Sequence, residues 1–287
     1  GIGPGDAIET TTSNLEASGG SGGVFVANIG SLTIGGVSAA NGVSATAGNV
    51  AISASGLLTL DEQVTASLGN VSLTGVGIGF NNGGVATASG IVTLNAGTGA
   101  INTAGTNTDV VSPTLIATAA TGINLDTYVV DASLTSGSGN IIIDEASALN
   151  LTTLGNASGN VTINAVGAIT NAVSALLTVS GVVSLSGTSI ALGNQAGDLV
   201  NFGSLTFTSL GAVSVAEDDN LQLTGASTAA SSILASPVSI TNGPSASVVV
   251  TGNASFAAPS ITLGNQAGDL LNFGSLTFTS AGAVNIA

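Results

Sequence analysis

The stretch "GNVTINAVGAITNAVSALLTVSGVVSLSGTSIALGNQAGDLVNFGSLTF" (Gly159–Phe207) states one short phrase three times. Gly159 opens GNVTI, Gly181 opens GVVSL and Gly203 opens GSLTF, so the openings are evenly spaced. Inside each phrase, apolar residues alternate with small or polar ones. Val161 and Ile163 share one face of an extended chain and Thr162 takes the other; Leu205 and Phe207 oppose Thr206 in the same way. Alternation with period two is the pattern of a half-buried strand.

The phrase continues in both directions. It opens at Gly48 (GNVAI), Gly69 (GNVSL) and Gly90 (GIVTL), again at even steps, and once more at Gly274 (GSLTF). The region between Gly90 and Gly159 is less regular, with starts expected near Thr114 and Asp131. A second apolar phrase trails the first: GLLTL at Gly56, GNIII at Gly139, GAVSV at Gly211. A third follows in places, as LNLT at Leu149 and LQLT at Leu221. A unit of about 21–22 residues with a few short strands cannot bury its own apolar face. Such units stack, pairing through parallel ladders about 4.8 Å apart. The expected fold is all-β, a parallel β-solenoid.

A longer echo lies over this rhythm. Ile190–Ala216 and Ile261–Ala287 match at 22 of 27 positions, and "ITN" at Ile169 returns at Ile240. Coil starts at 159, 181 and 203 recur at 230, 252 and 274, which predicts a 71-residue super-repeat of three coils. The domain reading follows: residues 1–23 as a lead-in and capping segment, then 24–287 as one continuous solenoid with a duplicated triplet (159–229 and 230–287, the latter incomplete). Asp6 and Glu9 stand at capping-box spacing for a short helix, but Thr10, Thr11 and Thr12 oppose one. Asn49, Asn70, Asn140 and Asn160 follow phrase-opening glycines. They suit left-handed turn positions, and stacked they would form a ladder up the corner.

The rival architecture is a string of antiparallel sandwiches, for which Asn82-Gly83 and Asn242-Gly243 would be hairpin turns. Near-constant coil length and the absence of Trp oppose it. A membrane β-barrel would need aromatic girdles that seven Phe and one Tyr do not supply.

Composition narrows function. Charged residues are 5% of the chain, all of them acidic, with a formal net charge of −15. Without Lys or Arg there is nothing to neutralise phosphates, which excludes nucleic-acid binding by counterion release. Without His or Cys there is no imidazole or thiolate metal site and no Ser-His-Asp triad. Apolar residues at 44% still suffice for a core, and no apolar run approaches a membrane span. A chain that starts at Gly and holds no Met reads as a piece of something longer. The lack of trypsin sites and of oxidisable sulfur suits life outside the cell.

Three acidic clusters each follow a second strand phrase: Asp61-Glu62, Asp144-Glu145 and Glu217-Asp218-Asp219. As oxygen donors they are candidate calcium ligands. As carboxylate pairs they are the chemistry of glycoside hydrolysis, in a polysaccharide-binding or polysaccharide-degrading protein. The plainer reading is a solvated corner that keeps the surface soluble and blocks sideways pairing. Asp198 and Asp269 recur in "NQAGDLxNFG" as loop acids or lone calcium ligands. Thr206 and Thr277 in "TFT" do not recur on successive coils, as an ice-binding array would require.

The tiled phrases "GNVTINAVGAIT" and "GAVSVAEDDNLQLTG", with "DAIETTTSNLEASGGSGG…GSLTIGGVS" near the start, resemble filamentous-haemagglutinin-type β-strand-repeat surface proteins. The resemblance implies a right-handed parallel β-helix in a secreted or surface-displayed rod, and lends no functional residues. The expectation is therefore a non-enzymatic extracellular filament, or the shaft of a giant surface adhesin. It would continue by covalent extension or head-to-tail self-association, with a glycan or cell-surface ligand unspecified.

Overall fold

The computed structural model describes residues 6–39, 41–81, 84 and 86–287. It is all-β, with parallel strands stacked coil upon coil, in two compact units, Gly1–Ala146 and Ser147–Ala287.

In the first unit each coil carries strands on three sides. Val24–Asn28, Val50–Ala54, Val71–Thr74, Ile91–Asn95 and residues 114–119 and 131–136 stack along the first side. Leu32–Ile34, Leu58–Leu60, Ile78–Phe80 and Ile101–Thr103 lead the second side to Ile141–Glu145. The third side is built of Val43–Ala45, Val64–Ala66, Ala86–Ala88 and residues 110–112 and 127–129. The period-two phrases place Val50 and Ile52, then Val71 and Leu73, then Val92 and Leu94, in inward columns that are fully buried or nearly so. Each such side chain contributes about 1.5–3 kcal/mol of burial. Val92 pairs Leu115 and Leu115 pairs Ala132, so the irregular region stays in register, with starts at the expected Thr114 and Asp131.

The chain's beginning is extended. Ile8–Thr10, Asn14–Leu15 and Ala17–Gly19 are short strands that pair with Val24–Asn28, Leu32–Ile34 and Val43–Ala45. The capping-box spacing is therefore overridden by parallel pairing. The Thr10 hydroxyl and the Thr12 amide both donate to Asn28 Oδ1, at 2.8 and 3.0 Å.

Two turn assignments change. Gly139 takes a left-handed φ of +73°, as expected of a turn, but Gly48, Gly69, Gly181, Gly203 and Gly274 owe their identity to close approach instead, and Asn49, Asn70 and Asn160 also have ordinary φ. A Cβ at Gly181 would collide with the Gly159 carbonyl, and one at Gly203 with the Ser180 carbonyl. The Asn side chains reach the next coil's backbone. Asn49 Oδ1 accepts the Asn70 amide, Asn70 Oδ1 the Ile91 amide and Asn160 Oδ1 the Val182 amide, at 2.7–3.0 Å. Asn242-Gly243 forms no hairpin, since Ser239–Asn242 pairs in parallel with Leu221–Leu223. Asn82-Gly83 lies outside the described residues.

The second unit, with its sides numbered on their own, also begins with three. Residues 149–151, 169–171, Ile190–Leu192 and Ala212–Ala216 form the first, residues 153–156, 176–179 and 199–202 the second, and Val161–Ala165 with residues 183–187 and 204–209 the third. At Glu217 the pattern steps. The next two strands, Leu221–Leu223 and Ala226–Ala229, both lie against the third-side strand, Leu205 pairing Leu223 and Thr208 pairing Thr228. Ser231–Ala235 then returns to the first side, against Ala212–Ala216. The second side has been passed over.

This step explains why the interval between Gly203 and Ala230 is longer than the others. The 71-residue repeat holds three coils and one further side. Ile190 pairs Val213 on the first side, whereas its counterpart Ile261 pairs Val284 in the column that descends from Leu221 and Ile240. The second copy is thus the first turned by one side.

Candidate functional site

Where a side is passed over, the ladder amides beside it lose the carbonyls that the next coil would have supplied. A buried N–H without an acceptor costs about 1–3 kcal/mol. The chain supplies side-chain oxygens instead. Phe202 donates its amide to both carboxyl oxygens of Glu217, at 3.1 and 3.4 Å. Val200 donates to Asp218 Oδ2 at 2.8 Å, and the Asp218 amide returns a bond to the Val200 carbonyl. Glu217 is 4% exposed, so its carboxyl is part of the interior.

In the first unit Glu145, the last residue of the strand Ile141–Glu145, also turns its carboxyl into the interior. It is buried, and it accepts the Thr127 hydroxyl at 2.8 Å and the Val129 amide at 3.1 Å. For Glu145 and Glu217, then, the expectation of a solvated corner is overturned. An acid at the end of an apolar strand reads as a turn, but Glu145 is the last residue of its strand, paired with Thr127, and Glu217 stands where a strand is missing.

The remaining acids divide by environment. Asp61 accepts the Asn81 side-chain amide at 2.5 Å, and Glu62 accepts the Gly42 amide at 2.7 Å, bracing neighbouring coils. Asp219 is exposed and takes the Asn220 side chain. Asp144 is the ladder partner of Asp126, whose backbone carbonyl accepts the Asp109 amide, so three aspartates occupy successive coils. Asp109 is buried, held by the Thr103 hydroxyl and the Asp126 amide. Sequence reasoning missed Asp109 and Asp126, because neither belongs to a cluster or a repeated phrase. Among the described residues, no three carboxylates converge as a group able to hold a metal ion.

The repeated loop acids have a common task. Asn171 is buried; its Oδ1 accepts the Gly193 amide, and its Nδ2 donates to Asp198 Oδ2 at 2.8 Å. Asp198 also accepts the Ala175 and Gln195 amides, and the Gln195 side chain donates to the Asn171 carbonyl. Asn242, Asp269, Ala246 and Gln266 repeat this brace bond for bond. The asparagine of the "ITN" phrase is its centre, and the 71-residue recurrence was its only signal.

The electrostatics follow from burial in a chain without cations. Burial pushes the Glu217 carboxyl up to about 8, opposed by the Phe202 amide and aided by the charges of Asp219 and Asp218. Burial raises Asp109 to about 6, against its bonds from Asp126 and Thr103, with the Asp126 charge adding to the rise. Burial, and then the charge of Asp144, raises Asp126. Asp269 is held below the usual range, chiefly by the Asn242 side chain.

Comparison with family models, with curated proteins and with solved structures returned no match to this chain.

Proposed function

We propose that this chain is a structural element, a segment of an extracellular filament or of the shaft of a large surface protein. The supporting observation is the use made of its polar residues. The acids placed at Glu145, Glu217, Asp198 and Asp269 all bond to backbone or side chains of neighbouring coils, and the brace around Asn171 is copied whole around Asn242. Duplication at that fidelity preserves stacking, and growth by tandem copies lengthens a rod. Parallel ladders propagate from coil to coil, so the same chemistry serves covalent extension and head-to-tail association alike.

Cryo-electron microscopy of the native material tests the reading. Long unbranched fibres with a layer spacing of about 4.8 Å along the axis are expected. Short closed particles, or turnover of a polysaccharide by the purified protein, would sink the structural role.

A further inference from the structure

The carboxyl of Glu217 occupies an unusual position for a charged group. It is 4% exposed, it has two oxygens and, among the described residues, a single donor, the Phe202 amide, and the chain has no Lys, Arg or His to pair with it. The titratable groups acting on it are Asp219 and Asp218 of its own turn. The strands packed against that turn, Leu199–Ser209 and Ser231–Ala235, carry no titratable side chain. Every charge near Glu217 is therefore of its own sign.

We propose that the one-side step at Glu217 is a proton-linked joint, closed while Glu217 carries a proton and loosened when that proton leaves. Protonated, the carboxyl gives Phe202 its acceptor and adds no charge to the interior. Ionised, it is a buried anion beside two others, and the local remedy is to swing into water and release the Phe202 amide. The path is short. An open groove of about 460 Å³, lined by Ala235, Pro237, Ala257 and Pro259, reaches Glu217 from solvent. The balance with burial puts the transition in the mildly alkaline range, near 8.

Amide hydrogen exchange on the full chain tests this, with rates corrected for intrinsic base catalysis. Phe202 protection is expected to fall at least about tenfold between pH 6 and pH 9.5, while Phe207 on the third side keeps its protection. In Glu217→Gln, whose amide oxygen accepts the same N–H without a charge, the Phe202 value should be flat across that range. Asp219→Asn, an exposed change that leaves the joint's bonds in place, should move the midpoint to lower pH by removing a like charge. Flat Phe202 protection in the native chain, persistent pH dependence in Glu217→Gln, or an unmoved midpoint in Asp219→Asn would each overturn the proposal.

Discussion

Replacing Asn171 by Ala isolates what the repeated brace contributes. The side chain makes three bonds: from the Gly193 amide at 2.9 Å, to the Ala172 carbonyl at 2.9 Å and to Asp198 at 2.8 Å. At about 1 kcal/mol net for each, with the charged partner at the upper end, the loss is about 3 kcal/mol, roughly a 150-fold rise in the unfolding constant. Solenoid unfolding need not be two-state, so the assay should pair urea denaturation, followed by far-UV circular dichroism, with hydrogen exchange at Gly193. Gly193 protection should collapse first. Val173→Ala, at an exposed neighbour (64%), is the control and should change stability by less than about 0.5 kcal/mol. Asn242→Ala should cost the same as Asn171→Ala, and the two should add. A loss below about 1 kcal/mol for Asn171→Ala, or unchanged Gly193 exchange, would refute the reasoning.

Three further perturbations follow from single features. The Ser232 hydroxyl is buried without a hydrogen-bond partner among the described residues, between Val213 and Ala254 in its column, so Ser232→Ala should stabilise the chain by about 1 kcal/mol in urea titrations. Gly203→Ala drives a methyl into the Ser180 and Gly181 carbonyls, neither of which can yield without moving its strand. A loss of at least about 2 kcal/mol is expected, and a neutral result would mean the coils are not in this register. Asp109, raised to about 6 in the folded chain, binds more protons folded than unfolded between its ordinary value near 4 and 6. The part of stability due to this group should therefore fall by up to roughly 3 kcal/mol as pH rises through that window, and Asp109→Asn should remove that part of the slope while leaving the part that Glu217 contributes.

Much of the fold was legible because its signals are local. Alternation at Val50-Ala51-Ile52 and at Leu205-Thr206-Phe207 fixes which side chains face in, and the even spacing of the phrase-opening glycines fixes the stacking partner. The third side of the first unit was fainter, since Val64-Thr65-Ala66 and Ala86-Thr87-Ala88 are too small to stand out from loop composition. The step at Glu217 was hidden for another reason. The segment from Gly203 to Ala230 looks like one long coil, and only the pairing of Leu205 with Leu223 rather than Ser232 shows that a side has been passed over. The same concealment applies to the site. That Glu217 is an interior acceptor depends on an amide, at Phe202, which lacks a carbonyl in the next coil. No property of the residues 217–219 themselves carries that information.

The step itself is the claim most open to direct contradiction, and the native chain has no cysteine to interfere. Two double variants decide it: Ser214→Cys with Ile233→Cys, and Ser214→Cys with Thr241→Cys. Ser214 and Ile233 are ladder neighbours here, whereas Thr241 belongs to the column of Gln222 and Thr262. Under mild oxidation the 214/233 pair should form an intramolecular disulfide, because adjacent strands hold their Cα atoms about 4.8 Å apart, inside the range a disulfide spans. The 214/241 pair should stay reduced. If 214/241 closes and 214/233 does not, the stretch from Gly203 to Ala230 is a single long coil and the repeat is not turned by one side.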